Sequence, residues 1–343
     1  MIPALTVVIR EASMMDPRRL VLGAVALAVL VVAGPAAAQE FSPAVVFDMG
    51  GKFDKSFNEA AYNGAERFKK ETGVAYRDFE VTHETQREQA QRNMARRGSQ
   101  IVVGIGFSQA SAIEKVAKEF PNTKFTIIDG VVDLPNVQSI VFKEHEGSFL
   151  VGMAAAMASK SGKIGFVGGM DIPLIRKFAV GYEEGAKYVN PKIEIFQNMT
   201  GTTPAAWNDP TRGGELARSQ FDRGADVVYA AAGATGLGVL QAAKDNRKLA
   251  IGVDSNQNHL QPGTVLTSMI KRVDLAVYDA LKSAKDGTWK PGRRAIGVAE
   301  NGVGYSIDQY NRSLITPDME RRLTQARADI IAGKIKVTDY MAK

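Results

Sequence analysis

The sequence predicts an α/β protein of two doubly wound, parallel-sheet lobes of the Rossmann-like kind. Beyond about residue 40, short β-rich runs alternate with amphipathic helical stretches, which is the pattern of βαβ units. Several of these runs are continuously apolar, as expected of strands in a sheet covered on both faces. The chain has 343 residues, enough for two lobes with an apolar core each.

The strands expected are 43–48, 100–104, 124–129, 163–167, 193–197, 226–231 and 249–253. The first helix starts at Ser56, with Phe57, Ala60, Ala61, Gly64, Ala65 and Phe68 recurring at helical spacing. Ser56 and Glu59 match a capping box, so Ser56 is the expected N-cap. Further helices are expected at 111–119, 147–159, 175–188, 212–222, 237–245 and 275–286. A last one opens with Thr316 as cap and Pro317 at its first position. The run Gly-Lys163-Ile-Gly-Phe-Val-Gly-Gly reads as the first strand of a second sheet.

The N-terminus reads differently. Asp16-Pro17-Arg18-Arg19 precedes an apolar stretch at 20–33, followed by Gly-Pro-Ala36-Ala37-Ala38-Gln39. A short basic region, an apolar core and an Ala-x-Ala end describe a secretory signal, with cleavage expected after Ala38. The apolar stretch is shorter than the ~20 residues that span a bilayer. The chain has no cysteine, which excludes disulfides, thiolate chemistry and a lipid-modified cysteine at the processing site. A periplasmic, unlipidated, monomeric protein is therefore expected. Lys plus Arg number 43 against 37 Asp plus Glu, and no basic run with interleaved aromatics suggests nucleic-acid binding.

In doubly wound sheets, ligands sit beyond the carboxyl ends of the strands. Asp48 ends the first strand and leads through a polar turn to Phe57 and Asn58, which bring a carboxylate, a ring face and an amide together. Asp129 and Asp254 end two further strands, and three such aspartates suggest hydroxyls or ring N–H groups as their targets. The loop 200–210 carries Trp207, a large indole in a polar setting. Gly233-Ala-Thr-Gly236-Leu-Gly238 has the wrong spacing for a dinucleotide fingerprint and reads as a tight turn offering backbone amides, so no cofactor is expected. His83, His145 and His259 are scattered without metal-ligand spacing, and no nucleophile elbow occurs, so neither a metal nor catalysis is expected.

Taken in order, Asp48-Met-Gly-Gly-Lys-Phe-Asp54-Lys-Ser56-Phe57-Asn58, Ile-Ile-Asp129, Ala-Ala-Gly233-Ala-Thr-Gly-Leu-Gly-Val, Gly-Val-Asp254 and Ser-Met-Ile-Lys271 resemble the basic membrane protein (BMP) family, whose best-known branch is the PnrA-like purine nucleoside receptors of ABC importers. The resemblance spans the chain beyond the signal. It implies a type I periplasmic-binding fold, two lobes joined by a three-crossover hinge, and a small-molecule ligand, a purine nucleoside, delivered to a membrane permease. The expected lobes are 41–143 with 270–298, and 144–269 with 299–343, after a signal at 1–38. In that family the base lies between two aromatic rings, which points to Phe57 and to Trp207, where a Phe is more usual. Groups matching Asp48, Asn58 and Asp129 would face the base; those matching Gly233, Asp254 and Lys271 would hold the ribose. A free purine, a related heterocycle or a sugar stays open as ligand. A sensory binding protein or, with clustered aspartates, a nucleoside hydrolase stays open as function.

Overall fold

The computed structural model describes residues 40–342; the expected signal and its processing site lie outside the described residues. The chain runs β1 (Ala44–Phe47), α1 (Phe57–Thr72), β2 (Arg77–Glu80), α2 (Gln86–Arg96), β3 (Ile101–Ile105), α3 (Ala110–Glu119), β4 (Lys124–Ile128) and β5 (Val137–Phe142). It continues through α4 (Glu144–Ala158), β6 (Lys163–Met170), α5 (Pro173–Val189), β7 (Glu194–Gly201), α6 (Pro210–Asp222), β8 (Val227–Ala231), α7 (Gly236–Asp245), β9 (Leu249–Asp254) and β10 (Val265–Lys271). It ends with α8 (Val273–Lys285), β11 (Gly292–Ile296), β12 (Val303–Tyr305) and α9 (Pro317–Ile331).

Two six-stranded sheets result, ordered β11-β5-β4-β3-β1-β2 and β12-β10-β9-β8-β6-β7. The orders superpose strand for strand, so β4 corresponds to β9 and β5 to β10. All pairings are parallel except the antiparallel β10–β12 edge. The chain passes between the sheets three times: after β5, after β10 and between β11 and β12. β1, β3 and β8 are buried at every residue, as strands covered on both faces must be. Helix α4 is buried along most of its length and lies against α5 so closely that a Cβ at Gly185 would sit 1.9 Å from the Phe149 carbonyl oxygen. Among the described residues no helix is long and apolar enough to cross a membrane.

Several elements escaped the sequence reading: β2, β5, β10, β11, β12 and α2. β2 and α2 are polar, with the sequences RDFE and QREQAQRNMAR. β5 and β10 interrupt their apolar runs with Gln138-Ser139 and Thr267-Ser268, which are buried and hydrogen-bonded.

The expected capping box does not form. Ser56 stands at the N-cap position, but its side chain makes no capping bond, and the Glu59 carboxylate accepts from the Lys55 amide instead. The cap is Asp54, whose carboxylate accepts from the backbone N–H groups of Ser56, Asn58 and Glu59 at 2.8, 3.0 and 3.1 Å. A carboxylate two residues back reaches three orphan amides, whereas a serine hydroxyl reaches one. Asp54→Ala is therefore expected to cost about 1–2 kcal/mol of stability and to speed amide exchange at Asn58 and Glu59, while Ser56→Ala leaves that exchange near the parent's. Equal acceleration in both variants would return the cap to Ser56.

Candidate functional site

The carboxyl ends of both sheets face one cavity of roughly 610 Å³, counting its mouth. All eight residues expected from the sequence line it: Asp48, Phe57, Asn58, Asp129, Trp207, Gly233, Asp254 and Lys271. Phe57 is the first residue of α1 on the first sheet. Trp207 ends a short 3-10 turn, Pro204–Trp207, on the second. Asp129 and Asp254 follow or end the corresponding strands β4 and β9, with φ of 66° and 63°. Left-handed backbone is uncommon for a residue with a side chain, and aspartate is among those that tolerate it. Gly233 also has a positive φ, 58°, in the tight turn after β8.

Many of these polar groups are engaged with the protein itself. The Asn58 side chain accepts from the Asp48 amide and donates to the carbonyls of Asp48 and Gly51, so it braces the β1–α1 loop. One Asp48 oxygen accepts from Arg87 at 3.2 Å, and the other accepts from the Ser108 hydroxyl. Lys271, at the end of β10, donates to Asp129 at 2.5 Å and lies 3.1 Å from Glu144, whose second oxygen pairs with Lys177 at 2.7 Å. The Phe57, Phe142 and Phe178 rings surround the Lys271 ammonium at 5.2, 5.0 and 5.5 Å from their centroids, within cation–π range. One oxygen of Asp129 is buried without a partner.

Across the cleft, the Ser56 hydroxyl donates to Asp254 at 2.5 Å, Ser255 donates to the Ser56 carbonyl at 2.9 Å, and Gln257 donates to the Lys55 carbonyl at 2.9 Å. The two lobes therefore meet at this corner.

Burial raises the pKa of Asp254, against the pull of Lys271 and Ser56. Burial also raises Asp129, to about 6, although Lys271 beside it opposes the rise. Burial likewise pushes Glu144 up, but Lys271 and Lys177 outweigh it and hold that carboxyl below its usual range. Burial pushes Lys271 down, and Asp129, Glu144 and Asp254 overcome it, so the ammonium stays charged.

The sequence reading missed Glu144, Lys177, Arg87, Ser108 and Asp54. Glu144 opens α4 and Lys177 lies within α5 with no motif to mark them, and only their burial singles them out. The wall formed by Met49, Phe107, Leu174 and Ile175 was equally silent, being apolar. Of the histidines, His145 is buried at the start of α4, while His83 and His259 are exposed. Among the described residues no group of three or more His, Cys, Asp or Glu side chains could hold a metal ion.

Two doubly wound lobes, three crossings and a cavity between strand ends define a two-lobed solute-binding protein of the type I periplasmic kind. The solute-binding protein of an ABC transporter system from Aeropyrum pernix has this fold with a TM-score of 0.80 and 30% identity, over 87% of this chain and 93% of that one. The family model for ABC transporter substrate-binding proteins, PnrA-like (Bmp), matches residues 41–339, and the chain belongs to that family. A Pyrococcus abyssi relative named an uncharacterized lipoprotein is 38% identical over 284 residues, 78% of this chain and 69% of its own. The Lactococcus lactis ABC transporter nucleoside-binding protein BmpA is 33% identical over 322 residues, 87% of this chain and 89% of its own.

These relatives correct one expectation. The sequence reading made the protein periplasmic and not lipidated, but the Pyrococcus abyssi and Pyrococcus horikoshii relatives are both named lipoproteins. That reading took the missing cysteine as the absence of any lipid anchor, and it rested on a segment outside the described residues.

Asp54 also lines the cavity, and burial pushes its carboxyl from 3.8 to about 7 against the three amides it caps. A carboxyl raised on folding contributes stability that is fully present below its unfolded value and is lost as pH rises through its folded value, here between 3.8 and about 7. Asp54→Asn keeps an acceptor oxygen and removes the titration. Urea midpoints should thus fall less steeply across this window in the variant than in the parent. Parallel slopes would show that Asp54 is ionised throughout.

Proposed function

We propose that this substrate-binding protein closes over a purine nucleoside and presents it to the permease of an ABC importer. The observation that carries the reading is that both lobes bring aromatic side chains, Phe57 and Phe107 from the first and Phe178 and Trp207 from the second, to a single cavity that also holds polar groups. A planar heterocycle fits between two rings only when the lobes come together. The nucleoside-binding relative from Lactococcus lactis supports this choice of ligand.

In this reading the base stacks between Phe57 and Trp207, near Asp48, Asn58 and the unpartnered oxygen of Asp129. The ribose lies toward Gly233, Asp254 and Lys271, with the ammonium donating and the Asp254 carboxylate accepting. Asn58 acts through the loop it braces, and its contribution is to place Asp48 and Phe57. The first lobe comprises 41–143 with 270–298 and the second 144–269 with 299–343, β10 carrying Lys271 at the boundary. The protein works as a monomer, with no catalytic step of its own.

Base–aromatic stacking is worth about 1–3 kcal/mol per base on alanine substitution. Trp207→Ala should therefore weaken guanosine binding by about one to two decades in titration calorimetry. With Trp289→Phe as background, guanosine should change the fluorescence of the remaining indole, since Trp289 sits apart from the cavity and donates to Thr126. An unaltered affinity in Trp207→Ala would remove the main physical support for a stacked base.

Closure should also be visible in solution. Guanosine at saturation is expected to lower the radius of gyration measured by small-angle scattering, because it binds the closed form with differential affinity. An unchanged radius would argue that the lobes are held together before the ligand arrives.

A further inference from the structure

We infer that Gly169, in the second-lobe strand β6, sets the width of the ligand slot by giving the Trp207 indole a recess to lie in. The inference rests on the reading that a planar base stacks on Trp207, and it names the residue that positions that ring.

Gly169 is buried near the carboxyl end of β6 and lacks the positive φ that would make its backbone require glycine. What it lacks room for is a side chain. A Cβ built there would stand 2.1 Å from Cζ3, 2.5 Å from Cε3 and 3.0 Å from Cη2 of Trp207. The outer ring of the indole therefore rests on the bare Cα of Gly169. Two more glycines approach Trp207, but at its inner end. A Cβ at Gly50, from the opposite lobe, would lie 3.5 Å from the Trp207 Cβ, and one at Gly233 would lie 3.3 Å from its carbonyl oxygen. At those two positions the positive φ, 116° and 58°, rather than the indole is what calls for glycine; at Gly169 it is the indole.

The backbone beside Trp207 has little freedom to retreat. The Ala206 carbonyl accepts from the hydroxyls of Thr200 and Thr235 at 3.0 and 2.8 Å, and the Asp209 amide donates to Thr235 at 2.7 Å. An indole displaced from Gly169 must therefore turn about its own side-chain bonds, away from β6 and toward the cavity. To reach ordinary carbon–carbon contact of about 3.5 Å, the ring edge would have to move by about 1.4 Å, starting from 2.1 Å. A slot that holds one stacked ring has no such thickness to spare. Trp207 and Gly169 thus form a size-matched pair: the large indole is accommodated because its neighbour has no side chain. Phenylalanine at 207 has no atoms at the outermost positions and would need the recess less.

The test compares the parent, Gly169→Ala, Trp207→Phe and the double variant, all with Trp289→Phe where fluorescence is read. By calorimetry with guanosine, Gly169→Ala should weaken binding by about 10- to 100-fold, the loss of one stacking face. The double variant should bind within about threefold of Trp207→Phe alone, because the smaller ring tolerates the methyl. A Gly169→Ala protein that binds like the parent, or a double variant as weak as Gly169→Ala, overturns the inference and makes the glycine a requirement of the strand. A ligand-free readout separates this from the choice of ligand. Gly169→Ala should make the Trp207 fluorescence more accessible to acrylamide than in the parent, with the thermal midpoint confirming a folded protein. If guanosine fails to bind even the parent, the nucleoside reading falls, and unchanged quenching in Gly169→Ala would then overturn the recess as well.

Discussion

The Lys271 ammonium is the interaction on which the site depends. It is buried at the end of β10, where the chain leaves the second sheet, and it reaches Asp129 at the end of β4 in the first. Taking an ammonium out of water costs several kcal/mol unless its partners replace the lost hydration. Here Asp129, Glu144 and three aromatic rings do so. Glu144 is in turn held by Lys177, which also donates to the Phe142 carbonyl at 2.7 Å, so the row continues into the crossing segment after β5. Removing one member would leave its neighbours as uncompensated buried charges, a loss of about 3–5 kcal/mol in comparable sites. The ion row therefore ties the end of β10 in the second sheet to the end of β4 in the first, beside the cavity.

A second set of contacts, at Ser56, works on the far side of the cavity. The hydroxyl that the sequence pattern assigned to a helix cap serves instead to join the lobes, through Asp254. Each of these cross-cleft bonds contributes of the order of 1 kcal/mol net, somewhat more where a carboxylate accepts. That scale suits a binding protein. The corner is therefore a modest tie between the lobes beside the stronger ion row.

Much of the fold was legible in the sequence because period and apolarity reflect burial directly. The short continuous apolar runs of β1, β3 and β8, set between helical stretches, read as strands covered on both faces. The elements that escaped are those where burial and apolarity part company. β5 and β10 place Gln138, Ser139, Thr267 and Ser268 inside by hydrogen-bonding them to Thr126, Val132, Ser306 and Asn258, and α2 packs while reading as polar. The candidate site divides the same way. Residues at strand ends were visible because topology dictates where ligands lie in such sheets. Glu144 and Lys177 were invisible, since a charge inside a helix reads as a solvated face until its partners are known. The Asp54 cap was misassigned to Ser56 for a local reason: a capping-box pattern was present, and nothing in the sequence says that a carboxylate two residues earlier will compete for the same amides.

The matched strand orders explain how the site acquires its charge. Corresponding strands β4 and β9 deliver Asp129 and Asp254 from opposite lobes, each turned by a left-handed residue at the strand end. The neighbouring pair breaks the correspondence: β10 ends in Lys271, whereas β5 ends in Phe142. One ammonium therefore answers two symmetry-related carboxylates and Glu144 besides. Because it already donates to Asp129, its remaining attraction is shared, and burial keeps Asp254 and Asp129 easier to protonate than an exposed carboxyl. Phosphate on a ligand would bring further negative charge to a place where the existing carboxylates are already incompletely compensated, at low dielectric and with little room for counterions. A hydroxyl or ring N–H group could instead donate to the one Asp129 oxygen that has no partner, at no cost in charge. The pairing of two like strand ends with a single cation thus leaves carboxylates in excess, which favours uncharged donors over anions beside them.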